Sequence, residues 1–396
     1  MKKIAAFFTA LALFVVATVG IHINIAGNLD TDCRGFGTWI NPYKDLSYSA
    51  ISKNLHDDSY LMMGSSEFQH GRKIPYHPTK VFRKADMDVM CVGAAYNQCL
   101  SHAITLGSVA PQLKTKKVTL ILSPAWFYKG GVKKEAFSVR FSESEYMAML
   151  NNKALSDDLK KKIAQRTVEL LEKDPNMKEN VERYNKLLID KRVNPVDRFY
   201  FSSRLAFINE KESVTVNSAW KLSGEKNYEK YKSKIDGKEP DWNTLLAESE
   251  RDFEKESGDN PFYMKDRIYK RKFKSIVADQ EGTMSERKFL KNSPEYDDLK
   301  LFLEVCKESG IECQLVLLPI NGYWYDYAGF DKAERDKLPQ QILEATKGYD
   351  YEWTSFYDED YTEGFLEDAF HPAGKGWTEI NEEVYKFFTE VKTENQ

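Results

Sequence analysis

The sequence predicts an α/β fold: a parallel sheet flanked by helices, with a helical insertion, behind an N-terminal transmembrane helix. Three observations predict it. Short apolar strands alternate with helices in two blocks, about 58–130 and about 290–396, the pattern of a parallel sheet covered on both faces. Between the blocks, about 135–290, the chain is dense in Lys and Glu and has helical periodicity, as in "SESEYMAMLNN" and "DDLKKKIAQRTVELLEK". Before them, Lys2 and Lys3 precede the uncharged run "IAAFFTALALFVVATVGI", Ile4 to Ile21, which is long enough to cross a bilayer as a helix.

Taken in order, residues 1–28 read as an anchor and residues 29–396 as one extracytoplasmic α/β domain. Positive charge before the apolar run places the N-terminus in the cytoplasm and the remainder outside. A cleaved signal peptide is the competing reading. The run is long and no clean small-x-small site follows turn residues, which favours the uncleaved, single-pass anchor. Residues 30–57 read as an exit segment. Strands are expected at 59–63 (SYLMM), 89–93 (VMCVG), 116–124 (KKVTLILSP) and 312–319 (ECQLVLLP). Helices are expected at 97–110, at 297–310 before Gly310, and at 374–391.

Composition narrows the function. The chain is 42% hydrophobic and 30% charged, which argues for a folded protein rather than a disordered one. Its formal charge is -4, and residues 1–29 contain Lys2 and Lys3 but no acid, so the remainder is more acidic still. No basic footprint for nucleic acid is visible, while a local Lys/Arg patch for an anionic substrate stays open. Five cysteines, an odd number, fit no zinc spacing; Cys306 and Cys313 as a pair and buried free thiols both stay open. No His, Cys and carboxylate cluster has ligand spacing, and no phosphate-binding loop is present, so no metal and no cofactor are expected. Asp358, Glu359 and Asp360 read as a solvated loop.

Within this frame "LMMGSSEFQH", residues 61–70, ends a strand in Gly64 and two serines. Alone this is a turn. As a nucleophile bend it needs a base, because a serine hydroxyl is weak until a neighbour takes its proton. His371 is the one histidine after residue 102, and Asp368 stands three residues before it in "FLEDAFHPAGKGW". That spacing puts carboxylate and imidazole on one side of a turn, where the acid can orient the ring. His70, close behind Ser66, reads as part of a solvated helix face, with substrate contact as the alternative, and His102 as a structural histidine. Trp126 and Phe127 read as core. The aromatic stretch "PINGYWYDYAG", 319–329, reads either as acceptor groove, with Asn321 touching substrate, or as a packed loop under the site.

"MGSSEF", "SPAWF", "PINGYWYDYAG" and "DAFHPAGKGW", in this order behind an anchor, resemble the D-protein family of the dlt system, which is related to the SGNH hydrolases. The resemblance implies an SGNH-hydrolase-like sheet with Ser66 as nucleophile, His371 as base and Asp368 as orienting acid. Ser65 falls where the hydrolases carry an acid. Gly93 falls at the oxyanion-hole glycine. The third hydrolase block normally supplies an asparagine; no GxND is present, so Asn97 or the Ser66 amide stands as the second donor. The implied activity is transfer of D-alanine, as an ester, onto hydroxyls of lipoteichoic acid outside the membrane. The implied partners are a membrane-bound O-acyltransferase and, upstream, a D-alanyl carrier protein. Two alternatives remain: an exported O-acetyl esterase or acetyltransferase using the same three residues, and a non-catalytic scaffold for D-alanylation.

Overall fold

The computed structural model describes residues 2–24, 34–128, 130–192, 195–224, 235–289 and 291–390. Cys33, and with it part of the exit segment, lies outside the described residues. Five parallel strands form one sheet: β1 Tyr60–Met63, β2 Val89–Val92, β3 Lys117–Leu122, β4 Glu312–Leu317 and β5 Glu352–Ser355, in the order β2-β1-β3-β4-β5. The longer helices are α1 Lys2–Asn24, α2 Cys99–Val109, α3 Glu143–Asn151, α4 Asp157–Leu170, α5 Pro175–Leu188, α6 Pro195–Ser223, α7 Trp242–Glu256, α8 Pro294–Glu308 and α9 Gly374–Thr389.

Strand residues alternate between two cores, as a period of two requires. Leu61, Met63, Met90, Val92, Leu120 and Leu315 face the core that holds α2 and α8. Met62, Val89, Cys91, Ile121 and Val316 face the core that holds Trp377, Ile380 and Val384 of α9. Each of the strands β1 to β4 is thus apolar on both faces, which is why these segments read as continuous apolar runs. The edge strand β5, "EWTS", was not expected. It is short and partly exposed, so its sequence lacks the apolar run that marks the other four.

The middle of the chain supplies α3 to α7, and no sheet strand occurs in it among the described residues. The helix α1 is apolar and exposed over its length, with the dimensions of a single-pass membrane anchor, about 35 Å at 1.5 Å per residue. Its end touches α6, where His22 Nδ1 lies 2.7 Å from Glu210 Oε2. The four described cysteines are free and buried, Cys306 and Cys313 included.

Two glycines bring the strand ends together. Gly64 follows β1 and Gly93 follows β2, and a Cβ on Gly93 would overlap the Gly64 carbonyl oxygen. Only a residue without a side chain allows that approach. Under this contact Lys44 is fully buried. Its Nζ donates to the carbonyls of Gly37 (3.1 Å) and Cys91 (2.6 Å) and lies 3.6 Å from Asp45.

Candidate active site

The chain leaves β1 through Gly64 and Ser65 and turns at once into the 3-10 turn Ser66–Gln69. The two serines point different ways. Ser65 is buried and its Oγ donates to the Ala94 carbonyl at 3.1 Å. Ser66 is half-buried and its Oγ lies 2.9 Å from Nε2 of His371. Glu67 folds back beneath them, its Oε1 accepting the Ser65 amide. Burial pushes the Glu67 carboxyl up to about 7, against the Glu67 and Ser65 amides that favour its charge.

The base arrives on the loop between β5 and α9. Asp368 Oδ1 accepts the amides of Phe370 (3.1 Å) and His371 (3.0 Å), a side-chain turn that folds the next three residues back on the aspartate. The His371 ring therefore meets the same carboxylate: Nδ1 lies 2.9 Å from both Asp368 oxygens. This is the physical content of the D-x-x-H spacing. Burial alone would raise the Asp368 carboxyl. The His371 hydrogen bond and charge, the Phe370 amide and nearby His70 outweigh it and hold the group at about 2. The loop itself is pinned by Glu367 N–H to the His371 carbonyl (2.8 Å) and Asn321 N–H to the Ala369 carbonyl (2.9 Å).

His70 belongs to this site and not to a solvated helix face. Its ring stacks on His371 with centroids 3.6 Å apart and planes 6° apart, and its Nδ1 lies 2.8 Å from Glu367 Oε1. The partners stand about 300 residues along the chain, so no local pattern announces the stack. His70, Asp368 and His371 together have the composition of a cation site. In this structure both His371 nitrogens are already engaged, by Ser66 and by Asp368, and His70 Nδ1 meets Glu367.

Three other expected residues take structural places. The Gly93 N–H donates to Asp45 Oδ2 at 3.3 Å, and its missing side chain accommodates Gly64. Asn97 Oδ1 accepts the Ala94 amide at 3.1 Å and closes the loop after β2. Asn321 caps the short helix Gly322–Tyr327 by accepting the Trp324 amide (2.9 Å), while its Nδ2 donates to the Phe262 carbonyl (2.9 Å). With both ends engaged, it holds the loop under His371, and Trp324 and Tyr325 pack beneath it. Trp126, Phe127 and His102 are buried. Burial lowers His102 to about 4, opposed by the Gly64 carbonyl, so the ring is neutral at pH 7. The buried Lys44–Asp45 pair was not anticipated; burial lifts Asp45 to about 6 despite Lys44 and the Gly93 amide.

Chemically, the arrangement is a hydroxyl, a base and a buried anion in one hydrogen-bonded line. It can take a proton from Ser66 and stabilise the imidazolium that results.

Comparison with known proteins agrees with the motif reading. The family model of the DltD protein matches residues 37–389. Protein DltD of Bacillus subtilis (strain 168) is 26% identical over 364 residues, 91% of this chain and 90% of that protein. Protein DltD of Staphylococcus aureus (strain NCTC 8325 / PS 47) is 26% identical over 348 residues, 86% and 84%. Protein DltD of Lacticaseibacillus rhamnosus is 22% identical over 351 residues, 88% and 82%. The chain belongs to the DltD protein family.

Proposed function

We propose, from that membership, that this protein serves the D-alanylation of teichoic acid by transferring D-alanine as an ester onto hydroxyls of lipoteichoic acid outside the membrane. The observation that carries the chemistry is the line Ser66 Oγ–His371 Nε2–Asp368. His371 takes the Ser66 proton as Oγ attacks the carbonyl carbon of an activated D-alanyl donor. The leaving thiol or alcohol departs with that proton. A D-alanyl ester on Ser66 results. An acceptor hydroxyl then loses its proton to His371 and attacks the ester, and the proton returns to Ser66. Asp368 keeps the ring in one tautomer and balances the imidazolium, a contribution of general-base type worth roughly 10²–10⁴-fold. No ATP is needed in this sequence. Activation belongs to an adenylating ligase that loads a carrier protein inside the cell, and export to a membrane-bound O-acyltransferase, beside which α1 would hold the site. Each ester places an ammonium next to a phosphate and lowers the negative charge of the polymer.

The test is complementation. Ester-linked D-alanine on lipoteichoic acid is measured in cells lacking this gene and supplied with wild type or Ser66→Ala. Wild type restores the ester and Ser66→Ala does not, at equal membrane abundance. Restoration by both would leave a scaffold. Acetate in place of D-alanine in the released acyl groups would identify an acetyltransferase.

A further inference from the structure

A cleft of about 1100 Å³ opens beside His70. One wall is the chain leaving the Ser66 turn, residues 69–76. The other comes from the helical middle, α7 and residues 265–272, and Glu367 and Gly374 lie at the end next to the His371 loop. Its lining carries seven Lys or Arg side chains against four carboxylates, in a chain whose formal charge is -4.

The four acids are all occupied. Asp252 accepts the Tyr76 hydroxyl (2.8 Å) and Lys255 (3.1 Å), and Glu256 pairs with Lys265 at 2.6 Å. Asp266 accepts Asn260 Nδ2 at 2.8 Å, and Glu367 meets His70. The surplus is cationic. Lys73, Arg267 and Arg271 are exposed and make no ion pair among the described residues, and Arg72 donates only to the Ile40 carbonyl, at 3.2 Å. Lys272 lies 4.0 Å from Asp368. A merely solvated helical face interleaves and pairs its charges. Here the unpaired ones gather in a concavity that reaches His70 and Glu367, the neighbours of the acid–base line, where facing low-dielectric walls concentrate their field.

We propose that this cleft binds the phosphodiester backbone of the acceptor polymer, with Arg72, Lys73, Arg267 and Arg271 on successive phosphates. The proposal rests on the acyl-transfer reading for what happens at Ser66. Phosphodiesters stay anionic at every physiological pH, and guanidinium forks match their oxygens. A chain with one charge per repeat engages several cations at once, which a lone headgroup does not. Polyol hydroxyls lie between the phosphates, so a chain seated here carries nucleophiles past His70 toward Ser66. The product then loosens itself: a D-alanyl ammonium beside each phosphate is repelled by the same cations. Unmodified stretches are favoured over finished ones.

The experiment uses the full chain in detergent micelles and fluorescence anisotropy of a labelled glycerol-phosphate oligomer. Wild type binds it with salt-sensitive affinity, and binds glycerophosphoglycerol, the headgroup monomer, and a dextran oligomer far more weakly. Lys73→Glu with Arg271→Glu weakens oligomer binding on the order of tenfold or more and flattens the salt dependence. Lys73→Gln with Arg271→Gln gives an intermediate loss at unchanged thermal stability. An oligomer bearing D-alanyl esters binds more weakly than the bare one. Unchanged affinity in both double variants, or equal affinity for monomer and oligomer, overturns the proposal. Oligomer binding that depends on these cations while Ser66→Ala still restores D-alanine in cells would uphold the cleft and sink the acyl-transfer reading.

Discussion

The two flanks of Ser66 are built on opposite plans. On the His371 side, polar groups line up toward the serine: Asp368 on the ring, the ring on Oγ. On the β2 side they turn inward. The Gly93 amide goes to Asp45, the Ala94 amide to Asn97, the Ala94 carbonyl to Ser65 and the Ala95 carbonyl to Arg140. One flank carries the atoms proposed to react, and the other is a frame that fixes where the strand ends. Adjacent serines divide the same way, Ser65 to the frame and Ser66 to the line. Similar sequence positions therefore need not share a role; the direction of each hydrogen bond decides it.

The comparison breaks hardest on the reactive flank. His371→Ala is expected to lower D-alanyl transfer by on the order of 10³-fold or more, and Asp368→Asn by at least about 10²-fold, both read as ester formed per unit protein. Ser65→Ala, on the frame, stays within roughly threefold; an equal loss at Ser65 would erase the distinction between the serines. His70→Ala lowers the rate by about tenfold with little change in acceptor KM, and His70→Phe recovers most of it, because an aromatic ring restores the stacked face that orients His371. No recovery with Phe would shift the role from the stack to the Glu367 contact.

The frame is tested by stability. Gly93→Ala forces a methyl onto the Gly64 carbonyl and costs roughly 1–3 kcal/mol in urea unfolding. Two further effects are in pH. Glu67 binds its proton more tightly folded, at about 7, than at its ordinary 4.5, so stability falls as pH rises through that window, and Glu67→Gln removes the slope. Asp368 has the opposite sign. Held at about 2 against an ordinary 3.8, it contributes stability above pH 4 that is lost as pH falls through 2, and Asp368→Asn abolishes that acid limb.

Much of the fold was legible because four strands are buried on both faces and announce themselves as apolar runs. The strand β5 was not, since an edge strand of Glu, Trp, Thr and Ser carries no such signal. Asp368 and His371 were legible as a pair because their contact is local, made by one turn. His70 stacking on His371, and Lys44 lying under Cys91, are long-range contacts that the sequence does not mark. Gly93 and Asn321 were found as residues, but their hydrogen bonds to Asp45, Trp324 and Phe262 were not. A glycine or an asparagine at a strand end is as useful for close packing or capping as for meeting substrate.

Ser66 and His371 stand 305 residues apart. A growing chain therefore holds Ser66 without His371. The hydroxyl acquires its partner only when β4, β5 and the loop before α9 have docked on the strands made first, and such distant closures come late in folding. On the proposed chemistry, reactivity is a readout of completed assembly, a proofreading of the fold written into the distance between two side chains.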